Sequence, residues 1–231
     1  MYELIIANKN YSSWSMRPWV LMRGLDIPFR ERLLRFHENS GEGDFHRYSP
    51  SGRVPCLVDG ALRVWDSLAI AEYLAERHVG VWPADGAARA WARCAAAEMH
   101  SGFGTLRNVC SMSVGLRIRL HGISPALQAD ISRLEALWQE GLQRHGGPFL
   151  GGGHFSAVDA FFAPVATRVQ TYGLSLAKPA ADYVQRLLGL RPVQEWIAAG
   201  IAEPWRDPLH EADFVQHGEI IQDLRAAPGK V

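Results

Sequence analysis

Apolar and polar positions divide the chain into two halves of different texture. Up to residue 78 the apolar runs are short and change character often. Glu3–Ala7 reads as a strand, and Phe29–Leu34, with Phe29, Leu33 and Leu34 apolar, reads as a second. Between them Ser15–Gly24 reads as a helix, with Trp19, Val20 and Leu21 apolar and Gly24 as its stop. Phe36–Tyr48 is polar and interrupted by glycine, which predicts a loop with a short helix. Val54–Val58 and Ala61–Trp65 flank Asp59-Gly60, a strong hairpin signal. Asp66–Arg77 follows as a helix with Leu68, Ile70, Ala71 and Leu74 apolar. His78–Gly86, punctuated by Gly80, Pro83 and Gly86, reads as a linker. Beyond it the pattern turns helical, over Ala87–Arg119, Ser124–His145, Ser156–Tyr172, Pro179–Leu188 and Pro192–Ala202. No strand is expected there, and the segment from Pro204, with Pro208 and Pro228, predicts an irregular tail.

The order β-α-β, hairpin, α is the thioredoxin-like arrangement, because a βαβ crossover followed by a hairpin adds antiparallel strands to the same sheet. The expected architecture is therefore α/β plus all-α. It has a thioredoxin-like domain (βαβ-ββα) over residues 1–78, a linker over 79–86 and a helical bundle with its tail over 87–231. With 48 % hydrophobic and 21 % charged residues the chain can fold, which excludes disorder as its main state. Lys+Arg and Asp+Glu both number 24, and this balance argues against a dedicated binder of nucleic acid or anionic membranes. No apolar run approaches the roughly 18 residues of a membrane span, and the N-terminus lacks a basic n-region. Cys56, Cys94 and Cys110 form neither a disulfide framework nor a Cys-x-x-Cys metal or redox pair, so a reducing cytoplasm and no metal are expected.

Four segments carry candidate chemistry. In Tyr11-Ser12-Ser13-Trp14-Ser15-Met16-Arg17, hydroxyls sit at a helix N-terminus, where they either cap the helix or meet an anion. In Ser51-Gly52-Arg53-Val54-Pro55-Cys56, Pro55 begins a strand, either as an edge trans-proline or as a cis-proline that turns Val54 toward an extended ligand. Asp66 and Ser67 end a strand and open a helix, where they either cap it or hold an amino-acid head group. Ser156 with Asp159 reads as a capping box, a structural device. The Gly151-Gly152-Gly153 run lacks the Lys-Ser/Thr of a phosphate loop.

Taken in this order and spacing, the motifs resemble those of the cytosolic glutathione transferase superfamily. The resemblance runs to about Trp205. It rests on Val54-Pro55, on Asp66-Ser67-Leu68-Ala69-Ile70-Ala71-Glu72-Tyr73-Leu74 and on Ser156-x-x-Asp159. Ser12-Ser13-Trp14-Ser15-Met16-Arg17 is similar to the zeta-class Ser-Ser-Cys-x-x-Arg, with Trp14 where that class has Cys. The resemblance implies a cytoplasmic homodimer that uses glutathione as co-substrate and a small electrophile. Carried onto this chain, Ser12 donates to the glutathione sulfur, with Ser13 and Ser15 as alternatives. Val54 and Pro55, with Arg53 beside them, meet the tripeptide backbone, and Asp66 and Ser67 hold its γ-glutamyl end. His37 is a candidate for the glycyl carboxylate. Trp14, Met99, His100, Phe103 and Arg107, with Met112, are candidates for the electrophile pocket, and core packing is the competing role for the Met and aromatic members. The chemistry implied is attack by the thiolate. A zeta-like isomerase and a non-catalytic binding or scaffold protein are the alternatives.

A free thiol titrates near pH 8.5, so little of it is thiolate at neutral pH. Lowering that value by two units requires about 2.7 kcal/mol of differential stabilisation. One hydrogen bond to the charged sulfur (about 1.5–3 kcal/mol) and a helix N-terminus (about 0.3–1 kcal/mol) supply it. A serine hydroxyl is too weak an acid to act as the base itself.

Overall fold

The computed structural model describes residues 1–36 and 44–228. Strand β1 (Tyr2–Ala7) is the centre of a sheet whose order is β2-β1-β3-β4. It pairs in parallel with β2 (Phe29–Leu34) across helix α1 (Ser13–Gly24), and antiparallel with β3 (Cys56–Asp59). β3 and β4 (Leu62–Val64) form the hairpin, with Asp59 paired to Leu62, so the two turn residues are Gly60 and Ala61. Gly60 has φ +58, which a residue with a side chain disfavours; the turn lies one residue later than the Asp59-Gly60 reading. Helix α2 (Ser67–Ala75) completes the first half, capped by the Asp66 carboxylate, which accepts from Leu68 N and Ala69 N.

The second half is built around helix α6 (Ala157–Tyr172), buried along almost its whole surface. Around it stand α3 (Gly86–Ser101), α5 (Pro125–His145), α7 (Lys178–Leu188) and α8 (Arg191–Ala202). α6 also packs on α1, so one apolar core runs through both halves: Met16, Val20, Leu57 and Ile70 share it with Phe161, Phe162 and Trp196. Asp159 seats the start of α6. Its carboxylate accepts from Ser156 N (3.0 Å), Leu150 N (3.1 Å), the Tyr183 hydroxyl (2.8 Å) and the Ser156 hydroxyl (3.4 Å).

Two expectations for this half are corrected. Ala87–Arg119 is not one helical stretch. α3 ends at Ser101, Phe103 adopts a left-handed conformation (φ +54), and α4 (Gly104–Val109) is short. Strand β5 (Leu116–Leu120) then follows. The segment after Pro204 is not irregular either. It forms α9 (Pro208–Gln216) and strand β6 (Gly218–Asp223), which pairs antiparallel with β5. The reason is two-residue alternation: Leu116 and Ile118 are buried while Arg117 and Arg119 point away.

Candidate functional site

The site begins where β1 runs into α1. The Asn8 carbonyl accepts from Tyr11 N (3.1 Å) and Ser12 N (2.9 Å), which turns the chain. The helical half clamps this turn from outside. The Glu203 carboxylate accepts from Lys9 N (2.7 Å) and Asn10 N (3.3 Å), and Trp196 Nε1 donates to the Lys9 carbonyl (2.9 Å). Asn10 Oδ1 accepts from Ser113 Oγ, Val114 N and Gly115 N at 3.0, 3.1 and 3.3 Å. Gly200 of α8 sits so close that an added Cβ would lie 3.1 Å from Asn10 N. So held, Ser12 caps α1: its Oγ accepts from Ser15 N (3.4 Å) and donates to Ser15 Oγ (2.8 Å).

Ser12 and Ser13 line a cleft of about 750 Å³ whose far wall includes Arg107, Ser111, Met112 and Arg168 of the helical half. A second recess of about 440 Å³ shares Trp14, Arg53 and Val54 with it and is lined further by Pro55, Trp65, Asp66 and His100. In that recess His100 Nε2 lies 3.2 Å from Asp66 Oδ2. Burial holds the His100 imidazole below its usual range, outweighing the pull of Asp66.

In the larger cleft the lining cations outnumber the one lining carboxylate among the described residues, Asp213. Arg17 is 1 % exposed, lies 4.0 Å over the Trp14 ring and 5.0 Å over Phe161, and leaves Nε and Nη1 buried without a partner. Arg168 is also buried and donates only to neutral acceptors: the Cys110 carbonyl (2.7 Å), the Pro164 carbonyl (3.4 Å) and Ser13 Oγ (3.4 Å). Arg107 donates to the His100 carbonyl (3.1 Å). Among the described residues none of these three guanidiniums forms an ion pair with a carboxylate. Burial, then the neighbouring Arg168 and Arg107, push Arg17 down to about 9; burial, with Arg107 beside it, pushes Arg168 down to about 10. Both remain cations at pH 7, and their field favours an anion beside Ser12 and Ser13.

The C-terminal segment closes this cleft. The Tyr11 hydroxyl donates to Glu211 Oε1 (2.7 Å) and accepts from Asp207 N (3.3 Å). The Tyr11 ring stacks on that of His210, with centroids 4.8 Å apart. Arg225, just after β6, pairs with Glu211 and Asp223. His210, Asp213 and His217 join the lining of the cleft.

Two family profiles match the chain. "Glutathione S-transferase, N-terminal domain" covers residues 11–77, and "Glutathione S-transferase, C-terminal domain" covers 120–199. The chain belongs to the glutathione S-transferase family. Among its relatives, a zeta-class glutathione S-transferase of Euphorbia esula is 31 % identical over 156 residues, 66 % of this chain and 68 % of that one. A dichloromethane dehalogenase of Methylorubrum extorquens is 41 % identical over 61 residues, which span 26 % of this chain and only 21 % of that protein. A glutathione transferase homologue from Burkholderia, crystallised with bound glutathione, superposes with a TM-score of 0.64 over 86 % of this chain and 97 % of that one, at 22 % identity; this likeness concerns the fold.

In this member of the family the sequence-derived candidates separate by position. Ser12, Ser13, Trp14, Arg53, Val54, Arg107 and Met112 line the larger cleft, and Pro55, Asp66 and His100 the smaller recess. The Val54–Pro55 peptide is cis. Asp66 caps α2 through Oδ1, as one of its two readings expects, while Oδ2 faces His100. Ser67 is fully buried, and its hydroxyl has no partner among the described residues. Three candidates are corrected. Ser15 is fully buried, and its Oγ accepts from Ala7 N (3.3 Å) and from Ser12, so it braces β1 against α1. Met99, fully buried, and Phe103, 6 % exposed, belong to the core. His37 lies outside the described residues. The sequence reading missed Arg168, whose signal was a lone charge inside the apolar run of α6, and the whole α9 wall.

Proposed function

We propose that this protein binds glutathione across the two recesses and activates its thiol as a thiolate. In this reading the γ-glutamyl end lies beside Asp66 and the unpartnered Ser67 hydroxyl, and the cysteinyl backbone lies along Val54. The sulfur meets Ser12, and the electrophile occupies the larger cleft. The observation that carries the reading is a pair of serine hydroxyls at the start of α1, facing a cleft walled by guanidiniums that have no carboxylate partner. A hydroxyl that turns from Ser15 Oγ to the sulfur, together with the field of Arg17 and Arg168, favours the charged form of the thiol. Ser12 does not remove the proton; it makes the thiolate less costly to hold. The thiolate then attacks an electrophilic carbon.

The same arginines favour a second reading, a zeta-like isomerase whose substrate carries a carboxylate, because a ligand carboxylate would neutralise the cleft. A homodimer and a cytoplasmic location complete the proposal; three unpaired cysteines among the described residues suit a reducing compartment. Titration calorimetry with glutathione, run alongside ultraviolet absorbance of the thiolate, tests the activation. Saturable binding with thiolate at pH 7 supports it, and absence of heat at millimolar glutathione refutes it. Turnover of matched neutral and carboxylated enones then separates the two readings.

A further inference from the structure

The wall formed by α9 holds an acid–base pair that the reading above leaves unused. Asp207 precedes α9, and its side chain is 8 % exposed. One of its oxygens, Oδ2, accepts from both the backbone N–H of His210 (3.1 Å) and the imidazole Nδ1 (2.6 Å). With Nδ1 engaged by the carboxylate, Nε2 is the ring nitrogen that has no hydrogen-bond partner among the described residues. Aromatic rings hold the imidazole in place: Tyr11 stacks at 4.8 Å and Phe36 lies tilted at 4.7 Å. A helix cap needs only the first of the two Asp207 bonds. It accounts neither for an imidazole on the same oxygen nor for the placement of that imidazole in the lining of the cleft that Ser12 and Ser13 share.

Glu211, next along α9, is occupied by Arg225 and the Tyr11 hydroxyl. From the other elements Arg107 of α4 and Arg168 of α6 face the same cleft, and Asp213 and His217 line it from the end of α9. Of the two imidazoles in the lining, His210 is the one bonded to a carboxylate.

We propose that His210 is the proton station of the reaction and that Asp207 positions it; the proposal rests on the glutathione reading above. When glutathione binds, the S–H bond breaks with its electron pair left on sulfur, and the proton forms a new bond to Nε2. The products are a thiolate and an imidazolium, the latter held by Asp207. With an α,β-unsaturated acceptor, the thiolate forms the C–S bond at the β-carbon. The carbanion that results at the α-carbon takes the proton back from Nε2, so imidazole is regenerated and no further reagent is consumed. The serines cannot fill this place, because a serine hydroxyl is far too weak a base to hold the proton of a thiol.

The test counts protons. Calorimetry of glutathione binding in phosphate and in Tris, at pH 7.5, gives the protons released to solvent; the thiolate absorbance gives the thiolate formed. The wild-type protein should release fewer protons per thiolate than His210→Asn, which should release close to one. Asp207→Asn keeps a good helix cap and a neutral acceptor for Nδ1. It should shift the retention of the proton to lower pH, since the imidazolium loses its carboxylate, and it carries the test if His210→Asn does not fold. Thiolate formed with unchanged proton release in the variants overturns this proposal and leaves the glutathione reading intact. A wild-type protein that binds no glutathione overturns both.

Discussion

Ser12 and Ser15 are three residues apart at one helix start, and that spacing brings their hydroxyls within 2.8 Å of each other. Sequence alone cannot rank them, since both suit a cap and both suit a sulfur. Position separates them: Ser12 lines the cleft, whereas Ser15 accepts from Ala7 N of β1. Ser12→Ala should raise the thiol pKa of bound glutathione by about one to two units and lower kcat/KM by roughly 10- to 100-fold, the loss of one hydrogen bond to a charge. Spectrophotometric titration of the thiolate measures the first effect and steady-state kinetics the second. Ser15→Ala should instead lower stability by about 1–3 kcal/mol, because Ala7 N loses its buried acceptor, and denaturant melts read this directly. The arginines show the limit of reading residues singly. Arg17 stands in the serine motif and Arg168 lies 151 positions further along (168 − 17), so nothing local marks them as neighbours. Only the packing of α1 on α6 brings them together.

Elements with one clear period were legible, and elements with a mixed signal were not. The strands of the first half and the capping residues of α2, α5 and α6 lie where the sequence points. β5 escaped notice because five alternating residues sit between helical stretches, and its partner β6 lies about a hundred positions away. The close approach of α8 to the turn before α1 is just as invisible, and it rests on Gly200. Gly200→Ala would force its Cβ against the Asn10 and Lys9 backbone, which cannot swing aside as a side chain can. A cost of about 1–3 kcal/mol is expected, with a larger fall in kcat/KM than in Tm would suggest, since the turn it displaces carries Ser12. The start of α6 responds to pH. Burial, stronger here than the four donors, pushes Asp159 up to about 6 from an ordinary 3.8. A carboxyl raised by folding stabilises most below its unfolded value and loses that contribution as pH rises through 6. Asp159→Asn should therefore flatten the dependence of unfolding free energy on pH between about 4 and 6, a span of up to about 3 kcal/mol in the wild type. Chemical melts across that range measure it.

The molecule as a whole is two halves with one core, and its clefts are lined from both. The change of texture near residue 78 made the two halves readable; the clamps between them were not, because Glu203 reaches Lys9 and Asn10 across nearly the full length of the chain. A ligand seated at that junction should stabilise both halves together. Glutathione at one hundred times its Kd should add about 2.7 kcal/mol, which for a chain of this size is a rise of about 5–10 °C in Tm by scanning calorimetry. The junction also sets an order of events in the cell. Glu211 lies 200 residues after the Tyr11 it holds, so a ribosome adding about 5–20 residues per second finishes the far wall roughly ten to forty seconds after the serines have been made. Until then the emerging chain carries the turn of Ser12 and Ser13 without an enclosure, and the cleft is walled on every side only once α9 has been made.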